Sequence, residues 1–331
     1  MKIAFFGNPA CSNYILVKKF REKTKISVDL LLQDYNAIME EPCWADLEIR
    51  INQKICNSKP QQVKLILKNI IKEKKWEKPD WIKSYPIKYS IYDKFNYKFF
   101  DKNFIFKKRI NHYVKILKNY DFVVSDAFGA ISAKKAKIPY VVKGYGSDFD
   151  ILPFQKNFVG KQTFNTILNS KAFLATHGAT SLKKLNVSHK HVLINSIIDT
   201  DTMTPCLKKQ KNKFEFFLVA RLSFKDKGTD KIIRAFSKLV KKYDAHLFCM
   251  DFGTDVEKTR LLINNLGISE HVTFYNFIAS KPALNKIFNS HDFVIGDLSS
   301  GHFGISELEA LACEKQVISN NNEITPIEKG I

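Results

Sequence analysis

Between residues 216 and 319, strand-length apolar runs alternate with helix-length periodic segments, a pattern that limits the chain to an α/β fold with parallel strands. Strands are expected at residues 216–219, 246–250, 272–274, 293–295 and 317–318, and helices at 229–242, 256–266, 283–289 and from near Gly304 onward. The first 200 residues repeat the pattern more loosely, with strands at 3–6, 28–32, 122–124, 140–142, 173–175 and 192–194 and helices at 12–24, 62–75, 107–119 and 130–136. Residues 34–107 exceed what one crossover requires, so an insertion or irregular lobe is expected at about 35–115. Residues 199–213, DTDTMTPCLKKQKNK, are polar and strand-free and mark a boundary. The expected architecture is two Rossmann-like domains, residues 1–205 and 206–331, facing each other across a cleft. A chain of 331 residues can bury a core in each.

Charge is shared unevenly. Residues 1–200 hold 35 Lys+Arg against 17 Asp+Glu, whereas residues 201–331 hold 18 against 16. Within the first half, residues 51–118 carry 18 basic and 5 acidic groups interleaved with aromatics, among them Trp76, Trp81, Tyr92, Phe104 and Phe106. That mixture suits an anionic membrane surface, or a nucleic acid; a chain rich in lysine throughout produces it by composition alone. Nucleic acid is the weakest of the three readings. The six cysteines are scattered, with no CxxC pair, and read as reduced thiols of a cytoplasmic protein. No cysteine and histidine cluster suggests a metal. Residues 1–20 read as a first core strand and turn and not as a signal peptide, and no stretch approaches 18 apolar residues.

Residues 301–319, GHFGISELEALACEKQVIS, read as a glycine turn, a helix and a buried strand. Ile305, Leu308, Leu311 and Ala312 recur at roughly helical spacing. A helix start near Gly304 leaves backbone N–H groups unpaired at the positive end of the macrodipole, where a diphosphate can sit. Glu309, about one turn further in, could accept hydrogen bonds from two neighbouring hydroxyls, as on a ribose. An ordinary βαβ crossover with an exposed acid fits the same residues. Residues 220–228, ARLSFKDKG, follow an expected strand, so Arg221 and Lys227 would project at its carboxyl end. Two cations there could neutralise a diphosphate; a solvated basic turn is the plainer alternative. Two DxD tripeptides, at 148–150 and 199–201, are of the kind that arises by chance at this aspartate content.

In their order and spacing, FLVARLSFKDKGTDKIIRAF, HLFCMDFGTD, LGISEHVTFYNF, FNSHDFVIGDLSS and FGISELEALACEKQVIS resemble the nucleotide-sugar-binding domain of retaining glycosyltransferases with the GT-B fold, of the glycosyltransferase family 4 type (group 1). MKIAFFGNPACSNYILVKKF, YDFVVSDAF, IPYVVKGYGSDFDILPF and HVLINSIIDTDTM resemble parts of its first domain; residues 35–115 do not. The resemblance implies that Arg221 and Lys227 hold the donor phosphates, helped by backbone N–H groups around Gly304 and Ile305. Glu309 would bind the ribose, and the loop from Asn276 to Ile278 would touch the base. Gly7 and Asn8 would line the cleft. The implied reaction transfers a sugar from a UDP- or GDP-linked donor to a hydroxyl of a glycan or lipid-linked acceptor with retention, and the implied site has no metal and no cofactor beyond that donor.

Several positions depart from the family pattern. Gly301 stands where a sugar-contacting glutamate is expected, and His302 beside it could take over part of that contact. Asp126 aligns with a pocket histidine and could orient the acceptor hydroxyl. Tyr145 replaces a histidine before the GSD segment. Family members continue beyond Ile318 through further elements, so the second domain is expected to be truncated at its carboxyl end. The expectation is a cytoplasmic enzyme docked on an anionic membrane through residues 51–118. A non-catalytic or degenerate nucleotide-sugar binder, a nucleotide-sugar epimerase of the same fold, and a basic nucleic-acid binder are the alternatives.

Overall fold

The computed structural model describes residues 1–33, 37–58, 60–90, 92–93, 101, 103–145, 147–175, 183–194, 196–206, 213–299, 301 and 304–320. The chain divides into two compact units: Met1–Pro42 with Glu77–Ile197, and Cys43–Trp76 with Ile198–Ile331. In chain order the first eight strands are β1 (Lys2–Phe6), β2 (Ser27–Leu32), β3 (Arg50–Asn52), β4 (Ile82–Ser84), β5 (Phe122–Ser125), β6 (Tyr140–Lys143), β7 (Phe173–Ala175) and β8 (His191–Leu193). The remaining six are β9 (Phe214–Leu218), β10 (Ala245–Met250), β11 (Val272–Tyr275), β12 (Phe277–Ala279), β13 (Phe293–Ile295) and β14 (Gln316–Ile318).

The first unit is a seven-stranded parallel sheet in the order β4-β2-β1-β5-β6-β7-β8. Its strands are near-continuous apolar runs because both faces are covered, and Phe6, Val123, Val142 and Phe173 belong to one buried cluster. The chain moves outward from β1 in one direction through β2 and in the other through β5. Their carboxyl ends, with Phe6 opposite Ser125, therefore form the topological switch point.

In the second unit the parallel sheet runs β11-β10-β9-β13-β14, and its switch point lies where Leu218 of β9 faces Ile295 of β13. Phe217 is fully buried, as is Phe173 in the first unit, and removing each ring from water contributes about 1.5–3 kcal/mol. The edge strand β14 corrects an expectation. It pairs with β13 alone among the described residues, so Ile318 is 44% exposed where a buried strand was expected.

A second correction concerns residues 43–76, which in chain order fall within the expected first domain but pack with residues 198–331. Antiparallel pairing of β3 with β12, Ile51 opposite Ile278, forms a two-stranded ribbon. Ser280 is fully buried; its Oγ accepts from Ile49 N at 2.7 Å and donates to Leu47 O at 2.7 Å, while its N–H donates to Ile49 O at 2.9 Å. Trp44, Ile49 and Ile51 are buried in this unit, and that apolar burial fixes the lobe's allegiance.

Candidate functional site

The residues expected on the donor side follow β9 and β13, the two strands that meet at the switch point of the second unit. After β9 the chain turns at Arg221 and Leu222 into a short helix, Phe224–Lys227, capped by Ser223 Oγ accepting from Asp226 N at 3.2 Å. Gly228 follows at φ +67°, and a Cβ there would meet Ser299 Oγ at 2.7 Å, so a glycine suits the start of the next helix. Lys227 Nζ lies 2.7 Å from Oδ2 of buried Asp297, just beyond β13. Arg221 Nη2 lies 3.1 Å from Asp226 Oδ2 at the exposed side of the turn. Both expected phosphate-holding cations already carry a carboxylate.

The turn from Gly296 to Gly304 is built around Glu307, an acid that the sequence reading did not single out. Glu307 is buried, and its Oε1 accepts from Asp297 N at 2.9 Å. Its side chain fills space that two glycines leave open. A Cβ on Gly296 would lie 2.3 Å from Glu307 Cγ, and one on Gly304 would lie 2.6 Å from Oε2. The third position of the helix Ile305–Ala312 is where an acid in the first turn would have flagged it. Gly304 is the N-cap and has no side chain to cap this end, so the first backbone N–H groups of the helix face the turn. Gly301 sits in the turn at φ +78°; His302 lies outside the described residues.

This helix does not bury the stripe expected from its spacing. Leu311 is 45% exposed, whereas Glu307, Glu309 and Ala310 are buried. Its inward face is partly polar because Glu307 braces the turn and Glu309 meets a lysine. Oε1 of Glu309 takes the Nζ of Lys281, the first residue of the helix Lys281–Ser290. Oε2 is buried with no hydrogen-bond partner among the described residues, an arrangement that is costly unless a ligand completes it. The segment from Asn276 to Ile278 is not a free loop. Phe277 and Ile278 lie in β12, and Asn276 O accepts from Gln53 N at 2.8 Å.

At the switch point of the first unit, Gly7 adopts φ +87° and donates its N–H to Leu31 O at 2.9 Å. Asn8 is fully buried, with Nδ2 donating to Glu40 O at 2.6 Å and Oδ1 accepting from Tyr14 N at 2.8 Å. It braces the turn with both ends of its amide. Asp126 follows β5; its Oδ1 accepts from Gly129 N and its Oδ2 from Gln33 Nε2 at 3.4 Å. Burial pushes its carboxyl up to about 6, opposed by the Gly129 N–H and assisted by the charge of Glu40. Tyr145 OH donates to Asn13 Oδ1 at 2.8 Å. Nearby, Lys143 is buried with Nζ 3.2 Å from the same oxygen, and burial lowers its ammonium to about 8.

The basic and aromatic stretch 51–118 is divided between the two units. Several of its rings pack internally: Trp81 stacks on Tyr14, Phe106 meets Phe128, and Trp76 Nε1 donates to Asp46 Oδ2 at 2.8 Å. Tyr92 is 69% exposed, while Phe95, Tyr97, Phe99 and Phe100 lie outside the described residues. Among the described residues no helix is long and apolar enough to cross a membrane, and no group of three or more His, Cys, Asp or Glu residues could hold a metal ion.

Residues 199–327 match the family model described as Glycosyl transferases group 1. Over 109 residues the chain is 29% identical to MJ1607 of Methanocaldococcus jannaschii, an uncharacterized glycosyltransferase; the match covers 33% of this chain and 27% of that relative. The solved structure of HepE from Anabaena in complex with UDP-glucose superposes with a TM-score of 0.63 at 15% identity, over 100% of this chain and 84% of that one. The lipopolysaccharide outer core galactosyltransferase WaaB in its apo form gives 0.57 at 16% identity, over 96% and 80%. Sucrose-phosphate synthase from Thermosynechococcus elongatus gives 0.61 at 13% identity, over 96% and 81%. The fold is that of the GT-B glycosyltransferases. The family match is confined to residues 199–327.

Proposed function

We propose that this chain is a glycosyltransferase that moves a sugar from UDP or GDP to a hydroxyl of a lipid-linked or polysaccharide precursor, with retention and without a metal or other cofactor. The observation that carries this reading is Glu309 at the second switch point, one oxygen fixed by Lys281 and the other buried and unpartnered. A ribose hydroxyl would supply the missing donor. The uncapped start of the helix Ile305–Ala312 would take a phosphate oxygen on its backbone N–H groups. Lys227 and Arg221 would exchange Asp297 and Asp226 for the diphosphate as charge builds on the leaving group, which makes them electrostatic catalysts. In the retaining account that leaving phosphate helps remove the acceptor's proton, so the protein supplies no nucleophile. Asp126 would orient the acceptor hydroxyl.

The expected result is that a UDP- or GDP-sugar raises the melting temperature of the full chain and that Glu309→Ala abolishes the rise. An unchanged melting curve across a panel of both nucleotide sugars would sink the donor reading.

A second reading, a binder of nucleotide sugars without transfer, is favoured by Gly301 at the place of a sugar-contacting glutamate. It predicts the same thermal shift but no release of UDP or GDP when acceptors are added. Membrane docking in the cytoplasm rests on the basic surplus at 51–118, and the described residues add Lys64, Lys68 and Lys72 exposed on the helix Pro60–Glu73 beside Leu65, itself 59% exposed.

A further inference from the structure

The first unit holds a narrow pocket at its own switch point, walled by Phe6, Gln33, Arg109, Phe128, Gly129 and Ser132. It is narrow, with space at its base for about one water-sized group such as a single ligand oxygen. Arg109, on the helix Phe104–Leu117, is the charged residue of that wall.

We propose that this pocket is an oxyanion subsite, in which Arg109 receives a phosphoryl or carboxylate oxygen of the acceptor while Asp126 holds the neighbouring hydroxyl. Arg109 Nη2 donates to Gln33 Oε1 at 3.3 Å, and Nε is buried with no hydrogen-bond partner among the described residues. No carboxylate among the described residues forms an ion pair with it. The Gln33 amide is interposed: its Oε1 faces Arg109 and its Nε2 faces Asp126 Oδ2. A fold that needed only to neutralise the guanidinium would pair it with Asp126 directly. Instead the glutamine lies between a cation and an acid, whose charges still act on each other without a direct ion pair.

The surrounding backbone is fixed by glycines, since a Cβ on Gly7 would meet Gln33 Nε2 at 3.0 Å and one on Gly129 would meet Ser125 Oγ at 2.2 Å. Phe128 lies 5.7 Å from the guanidinium carbon and keeps one face of the fork apolar. Guanidinium forks match the oxygen geometry of phosphate and carboxylate, and ligands of parallel sheets bind at such switch points. Because the ligand is called an acceptor, this inference rests on the transferase reading, but the anion site itself does not.

The test is an NMR titration of the side-chain Nε–H signals of the full chain, which has six arginines. Arg109→Lys identifies the signal, and the titration is read on the unsubstituted protein, so folding of the variant does not decide the outcome. Inorganic phosphate or acetate, added at constant ionic strength, is expected to shift the Arg109 signal saturably. A larger response to phosphate points to a phosphorylated acceptor and a larger response to acetate to a glycan bearing carboxylates. An Arg109 signal that stays fixed with both, or moves equally with chloride, overturns the subsite. UDP-sugar melting shifts on the same sample report the donor reading separately, so a saturable Arg109 shift without them leaves the subsite standing and removes the transferase.

Discussion

Lys281 and Glu309 form a buried ion pair in which one carboxylate oxygen is held by the ammonium and the other has no hydrogen-bond partner among the described residues. Lys281 is in turn placed by Ser280, which residues Leu47 and Ile49 of the lobe hold in three hydrogen bonds. The orientation of the Glu309 carboxylate thus traces back to a segment more than two hundred positions earlier in the chain.

Removing the lysine should expose that dependence. Lys281→Met leaves a buried carboxylate without its counter-charge, a change that typically costs about 3–5 kcal/mol. We expect a large loss of chemical stability together with weakened nucleotide binding. Lys281→Arg should recover most of the binding in calorimetry. Equal nucleotide affinity in the Met variant and the unsubstituted protein would show that Glu309 is not oriented by Lys281.

Gly296→Ala should destabilise the second unit by about 1–3 kcal/mol, since its methyl would overlap Glu307 Cγ. In urea unfolding, adding Glu307→Ala should return less than the sum of the two single losses. Strict additivity would mean that the two residues do not share that space.

Asp126 makes a prediction in pH. Its folded carboxyl titrates near 6, above the ordinary value of 3.8, so in that interval the unfolded chain has lost a proton that the folded chain keeps. This contribution is present in full below about pH 4 and is lost as pH rises through 6. Asp126→Asn should flatten the fall in unfolding free energy between those values. Glu40, whose carboxyl burial also raises, should leave a residual slope in the same direction.

For the membrane proposal, the full chain should sediment with anionic vesicles and not with neutral ones. Replacing Lys64, Lys68 and Lys72 together by Glu should reduce that binding, each lysine being worth about 1 kcal/mol near the surface. Sedimentation equal with both vesicle types would leave the lysines as composition.

Strands and helices with clear apolar periodicity were legible in the sequence, among them β1, β2, β9 and the helix Thr229–Leu239. The helix Phe158–Leu168 was not. Its interior threonines look like loop residues, yet Thr163 and Thr166 are fully buried and return their hydroxyls to Val159 O and Gln162 O. Asn157, whose side chain caps Gly160 N at 2.8 Å, was the available signal. Glu309 stood out because the glycine turn and helix spacing point to it. Glu307 did not, because its carboxylate serves a backbone N–H across a turn whose closure no linear pattern shows. Nor could chain order reveal that residues 43–76 pack with the second unit, since β3 carries only three residues and its partner strand β12 was read as a loop.

The pairing of β3 with β12 also sets a clock. Asn52 and Phe277 are about 225 residues apart, and at about 5–20 residues per second the ribosome takes on the order of 10–45 seconds to make the later strand after the earlier one. Through that interval the apolar side chains of Trp44, Ile49 and Ile51 lack the later part of the unit in which they are buried. The second unit is assembled from one of the oldest parts of the nascent chain and some of its youngest. A premature stop upstream of residue 277 would strand an apolar segment made early, with its docking surface never synthesised.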